Sequence, residues 1–268
     1  MSEARNQTVR LSTIVLRFGV RSPQTGAIVH SPPPLQQSGI GVVAPCDFAL
    51  DRELWRWVPD DVSLHITRMP YAPLAATVEM AVHISDPALV AQSVTDLRAV
   101  SPLVMAYACT SGSFIGGLAG EAALVTAMTE AGAPAAVTTS GALVAALRHL
   151  DVRRIATVKP YVANLTVGLS SFLAEAGVEV IAAAGLGLTS DIWTVPYAVT
   201  AGLVRDTYTA DAQAVFISCT NLATYDVIAT LEHELGKPVL TANQVTIWSA
   251  LQIIGRKAVG LGQQLLER

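Results

Sequence analysis

Two rhythms of apolar and polar positions run along this chain. From Gly39 onward, short apolar runs bounded by small or polar residues predict buried parallel strands at 40–44, 62–67, 102–108, 135–138, 154–159, 178–183, 213–218 and 238–241. Between them, longer segments with helical spacing of apolar residues predict helices near 74–99, 114–131, 141–149, 163–176, 196–209, 222–235 and 243–256. Strand–helix alternation of this kind predicts an α/β fold, with a parallel sheet covered by helices on both faces.

The pattern also repeats. In the first half, strand 40–44 ends in Pro45-Cys46, and strand 102–108 ends in Cys109-Thr110. In the second half, strand 154–159 ends in Pro160-Tyr161, and strand 213–218 ends in Cys219-Thr220. The spacing is 64 positions from Pro45 to Cys109 and 59 from Pro160 to Cys219. Two pseudo-symmetric parallel-sheet halves facing each other account for this. The expected organisation is an N-terminal arm or linker over 1–38, a first half over 39–140 and a second over 141–238. The C-terminal helical segment, 239–268, is expected to pack back on the first half. Ligands bind at the carboxyl ends of parallel strands. One site is therefore expected between the halves, built from Cys46, Cys109, Tyr161 and Cys219.

Composition narrows the class. The chain has 268 residues, 51% of them hydrophobic and 14% charged, with a net charge of −4. Low charge and a mean hydropathy of +0.46 predict a heavily buried parallel sheet, or burial of more surface in a homo-oligomer, which is the expected state. No basic surface is extensive enough for nucleic acid; Arg148, Arg153 and Arg154 read as a solvated patch. The uncharged stretches Ala99–Gly120 and Pro238–Gly255 are interrupted by glycine and hydroxyl residues, so no membrane span is expected. Arg5, Arg10 and Arg17 break every N-terminal apolar window, which predicts no signal peptide. Three cysteines cannot all pair, and a reducing cytoplasm is the default. No cysteine or histidine spacing suits zinc, so no metal is expected. Ser31-Pro32-Pro33-Pro34 reads as a stiff linker, and Leu11–Val20 as an edge strand, a segment packed on a partner subunit, or disordered chain.

The chemistry centres on Cys109 and Cys219. Free cysteine often serves as a small buried hydrophobe. Two thiols in matching frames across one cleft instead suit adding a proton on one side and removing it on the other. Thr110 and Ser111 precede a helix whose N-terminus would donate hydrogen bonds and lower the pKa of Cys109. Tyr161 is a candidate donor at a strand end. Cys46 reads as pocket lining. Asp47, Asp51 and Glu53 read as a solvated turn and helix start, and Trp55 and Trp57 as packing or rim residues. His65 and His83 read as satisfied buried histidines. Gly185-Leu186-Gly187 is only a fragment of a dinucleotide fingerprint.

At Gly41-Val42-Val43-Ala44-Pro45, Cys109-Thr110-Ser111-Gly112-Ser113-Phe114, Pro160-Tyr161-Val162, Ser218-Cys219-Thr220 and the Trp248 helix, the sequence resembles the aspartate/glutamate racemase superfamily. Within it, the likeness is to the maleate isomerase and arylmalonate decarboxylase branch. The resemblance implies two pseudo-symmetric domains, a site between them and no cofactor. It places oxyanion binding on Thr110, Ser111, Tyr161 and Thr220. Racemases and maleate isomerases carry cysteine at both strand ends, whereas the decarboxylase has glycine at the first; this chain has Cys109. Two substrate-gripping asparagines of the isomerases are missing. Cys46-Asp47-Phe48 stands where one is expected, which places Cys46 and Asp47 among the substrate-binding candidates. Ser190-Asp191-Ile192 replaces the other. Phe48 and Met69 suggest an apolar pocket.

These readings together predict a cytoplasmic, cofactor-independent two-cysteine isomerase or racemase of a small carboxylic acid, similar to maleate cis-trans isomerase. The alternatives are a decarboxylase of the arylmalonate type, with Cys219 as proton donor, and a non-catalytic small-acid binding protein on the same fold.

Overall fold

The computed structural model of the protein describes residues 36–267. The expectations for the N-terminal arm, its proline linker and its edge strand fall almost wholly outside the described residues.

Eight strands form at the apolar runs: β1 Ser38–Ala44, β2 Val62–Arg68, β3 Val104–Tyr107, β4 Ala136–Thr138, β5 Arg154–Tyr161, β6 Glu179–Leu188, β7 Ala214–Ile217 and β8 Val239–Thr241. They make two four-stranded sheets in the orders β2-β1-β3-β4 and β6-β5-β7-β8. Every pairing is parallel. β3 and β7 are buried along their whole length, because helices cover both faces of each sheet.

The helices are α1 Asp51–Leu54, α2 Val78–Ile84, α3 Pro87–Leu97, α4 Thr110–Phe114, α5 Gly117–Glu130, α6 Thr139–His149, α7 Ala163–Glu175, α8 Tyr197–Thr207, α9 Tyr225–Leu235, α10 Ala242–Ile253 and α11 Gln264–Glu267. Two segments expected as continuous helices are broken. The first divides into α2 and α3, because Asp86 caps the second helix through Ala88 N at 2.8 Å and Pro87 occupies its first turn. The second divides into α4 and α5 at Gly117, whose φ is +66°. Among the described residues, no helix is long and apolar enough to cross a membrane.

The two sheets are locked together by an exchange of helices. α6 leaves β4 of the first sheet and buries Leu143, Ala146 and Leu147 with Ile155, Phe216 and Leu240 of the second. α10 leaves β8 of the second sheet and buries Ile247, Ala250 and Leu251 with Ile40, Val42 and Val104 of the first. Both helices are started by the threonine that ends the preceding strand. Thr138 Oγ1 accepts from Gly141 N at 3.0 Å, and Thr241 forms a reciprocal capping box with Gln244. The hydroxyls of Thr139 and Thr246 meet at 2.8 Å where the two helices cross.

Each sheet has its topological switch point between the second and third strands of its order, β1/β3 and β5/β7. A crevice opens at such a point because the neighbouring connections leave toward opposite faces. The chain ends of these four strands carry Pro45–Phe48, Cys109–Ser111, Tyr161 and Cys219–Asn221.

Candidate active site

A cleft with about 490 Å³ of empty space lies where these strand ends converge. Cys109, Thr110, Ser111, Tyr161, Cys219, Thr220 and Asp47 all line it. Cys46 does not. Its side chain turns toward the carbonyl of Ala72 and lines a neighbouring recess with Tyr71, Pro73 and Leu74. The turn that follows β1 separates the two: Asp47 reaches both spaces, whereas Cys46 reaches only the recess.

Cys109 is the N-cap of α4, and its sulfur accepts from Gly112 N at 3.4 Å. Ser111 Oγ lies 3.7 Å from the same sulfur. Gly112 is required here, because a Cβ at that position would overlap the Tyr107 hydroxyl. That hydroxyl is itself fixed by donating to Ile84 O at 2.6 Å. Ser113 holds the turn from behind, donating to Cys109 O at 2.6 Å and meeting Ser140 Oγ at 2.7 Å.

Cys219 has a φ of +91°, a conformation that L-residues rarely adopt. Its N–H donates across the cleft to Thr110 Oγ1 at 3.3 Å, and its carbonyl accepts from Leu222 N at 3.3 Å. The Thr110 hydroxyl thus receives one hydrogen bond and keeps its own proton to donate. Backbone N–H groups of Asn221 and Leu222 point at the Cys219 sulfur. Strain of this type costs about 1–3 kcal/mol and collects at functional sites. Cys219→Gly should therefore be more stable than Cys219→Ala by about 1 kcal/mol in urea unfolding. The reverse order would mean that the loop is relaxed.

Burial pushes the Cys109 thiol up to about 11; the Gly112 N–H and the Ser111 hydroxyl pull it down by less. This corrects the expectation of a lowered value: the helix start acts in the expected direction, but withdrawal from water outweighs it. Burial raises Cys219 as well, and the neighbouring Cys109 and Asp47 add to the rise. Iodoacetamide modification of Cys109 should accelerate about tenfold per pH unit and level off only near pH 11. Levelling at the ordinary thiol value of about 8.5 would contradict this.

Tyr161 is buried, and its hydroxyl bonds to Ser218 Oγ. Asp47 stands exposed at the mouth, and partial burial raises its carboxyl. The cleft wall is apolar, made by Phe48, Met80, Ala81, Ile84, Leu165 and Ile192. Met69, expected there, packs instead in the core under α3 with Val90 and Val94. Ile192 occupies the stretch where the second asparagine is absent.

Met80, Ile84 and Leu165 were not identifiable as lining from sequence, and Asn221 was not singled out there. Asn221 had a local signal, since it follows Cys219-Thr220 at a switch-point strand end. Its side chain donates to Asp47 O at 3.0 Å and accepts from Ala49 N at 2.9 Å. Glu53 makes a second tie between the same loops. It is not solvated, as expected, but 6% exposed, accepting from Thr224 N at 3.0 Å and Thr224 Oγ1 at 2.9 Å. Asn243 Nδ2 also reaches it, at 3.4 Å. His83 is exposed rather than buried, on the outer face of α2, and His65 is half-buried. Gly185 and Gly187 lie within strand β6, not at a strand-to-helix turn.

The fold and site define a two-lobed, parallel-sheet α/β protein with paired thiols at the switch points of its two sheets. The arylmalonate decarboxylase family matches residues 85–266, and the chain belongs to that family. The arylmalonate decarboxylase of Bordetella bronchiseptica is 33% identical over 175 residues, covering 62% of this chain and 72% of that protein. The maleate isomerase of Nocardia farcinica is 28% identical over 167 residues, covering 59% of this chain and 66% of that protein, just under two thirds. A solved double mutant of arylmalonate decarboxylase in liganded form superposes with a TM-score of 0.80 at 27% identity, covering 86% of this chain and 99% of that one.

Proposed function

We propose that this protein is a cofactor-independent isomerase or racemase of a small carboxylic acid, working through Cys109 and Cys219 in the manner of a maleate isomerase. The observation that carries this reading is the pair of thiols on one cleft, each at the third strand of its sheet. A proton α to a carboxylate is weakly acidic, so its removal needs a strong base and aimed donors for the enediolate. A thiolate formed in this dry cleft is strongly basic for a thiolate, because burial disfavours its charge. The hydroxyls of Thr110, Ser111, Tyr161 and Thr220 are the proposed donors.

In the racemase form, one sulfur takes the α-proton and the other returns a proton to the opposite face. In the cis-trans form, one thiolate adds to the double bond while the other thiol protonates the adjacent carbon. Rotation about the new single bond, proton removal and loss of the thiolate then give the trans acid. Asp47 brings negative charge to the mouth where an isomerase asparagine is expected, which favours acids with one carboxylate over maleate itself. The three free cysteines fit a reducing cytoplasm.

A decarboxylase is the second reading. It is favoured by the apolar wall, which would destabilise a departing carboxylate. There Cys219 alone would protonate the enediolate left by loss of carbon dioxide. The two are separated by incubating the protein with maleate, aspartate, glutamate, hydantoins and arylmalonates in deuterated water and following products by NMR. Isomerised or α-deuterated acid without carbon dioxide is the expected result. Carbon dioxide from an arylmalonate with no isomerisation of any acid would overturn it.

A further inference from the structure

Lys159 takes no part in the thiol cleft. It lies on β5, on the same side as Tyr161, and only 1% of it is exposed. Among the described residues its Nζ has no hydrogen-bond partner, and the four ion pairs all use arginine instead. The side chain extends over Gly185 of the neighbouring strand β6, where an added Cβ would lie 3.4 Å from Lys159 Cγ. Together with Tyr161, Ala163, Thr166, Ala183, Ala184, Gly185 and Gly187 it lines a recess with about 530 Å³ of empty space.

The start of α7 closes the other side of this recess. α7 is 13 residues long, and no side chain caps its N-terminus at Val162. Uncapped N–H groups and the helix dipole favour negative charge at that end. We propose that the recess binds a small oxyanion, the carboxylate or phosphate group of a ligand, held by Lys159 Nζ, the Thr166 hydroxyl and the first turn of α7. Small residues at 183, 185 and 187 leave the room. Burial lowers Lys159 to about 8, so at neutral pH the amine is still mostly charged and lacks a counter-ion. An anion would supply it. Tyr161 is a wall shared with the thiol cleft, but the proposal does not depend on which reaction that cleft performs.

The chain has only three lysines, Lys159, Lys237 and Lys257, so isotope-labelled lysine gives a resolvable NMR titration. In chloride buffer Lys159 is expected to titrate near pH 8. An anion that binds the charged amine should move that midpoint up by about one pH unit, with Lys237 and Lys257 unmoved. Inorganic phosphate and acetate form separate arms. A response to phosphate alone assigns a phosphoryl group, and a response to acetate assigns a carboxylate. In calorimetry, Lys159→Met should weaken binding of the responding anion by about tenfold or more. Methionine fills the same volume without a buried charge, and the wild-type titration decides the matter even without the variant. No movement of Lys159 with either anion, or unchanged binding by Lys159→Met, would overturn the proposal.

Discussion

Cys219→Ala should lower turnover by about 10²–10⁴-fold, the range expected for loss of a positioned acid or base. The fold should persist, because alanine keeps the same Cβ in the same φ of +91° and the loop remains tied by Asn221 and Glu53. Both the isomerase and decarboxylase readings require this thiol, so steady-state kinetics on any accepted acid are informative. A folded Cys219→Ala variant with near-normal turnover would remove the chemistry from this cleft.

Cys109→Gly has the second large effect, and here the two readings part. Glycine removes the sulfur that accepts from Gly112 N and leaves the α4 N-terminus uncapped but intact in backbone. Isomerase or racemase turnover should fall by about 10²-fold or more, since no group remains on that face to move the proton. Product analysis by NMR checks it. If the wild type releases carbon dioxide from an arylmalonate and the glycine variant does so at least as well, Cys109 is dispensable and decarboxylation is the native reaction.

The strands were legible because each is a short apolar run that the sheet buries on both faces, as at Val104–Tyr107 and Ala214–Ile217. The thiol pair was legible for the same reason: its frame follows directly from a strand end and recurs in the second half. The breaks inside the longer helices were less so. Apolar residues continue across Ser85–Pro87 and across Gly116–Gly117, which masked the Asp86 cap and the positive φ of Gly117. The cleft wall was not legible at all. Met80 and Ile84 sit on α2, whose approach to Cys109 is set by tertiary packing and by the bond from Tyr107 to the Ile84 carbonyl. The burial of Glu53 depends on Thr224 and Asn243, distant in sequence, so local polarity read it as solvated. The rise of the thiol pKa values escaped for a related reason: a sequence shows the helix start beside Cys109 but not how much water the closed cleft excludes.

The central claim is that Cys109 and Cys219 act on one bound acid as a unit. Turnover of the wild type, Cys109→Ala, Cys219→Ala and the double variant, on whichever acid the NMR panel shows to react, tests this most directly. Groups that serve one reaction lose their effects together, so the double variant should be no slower than the slower single variant, within about threefold. Losses that multiply, or a Cys109→Ala variant as active as the wild type, would contradict the two-thiol account.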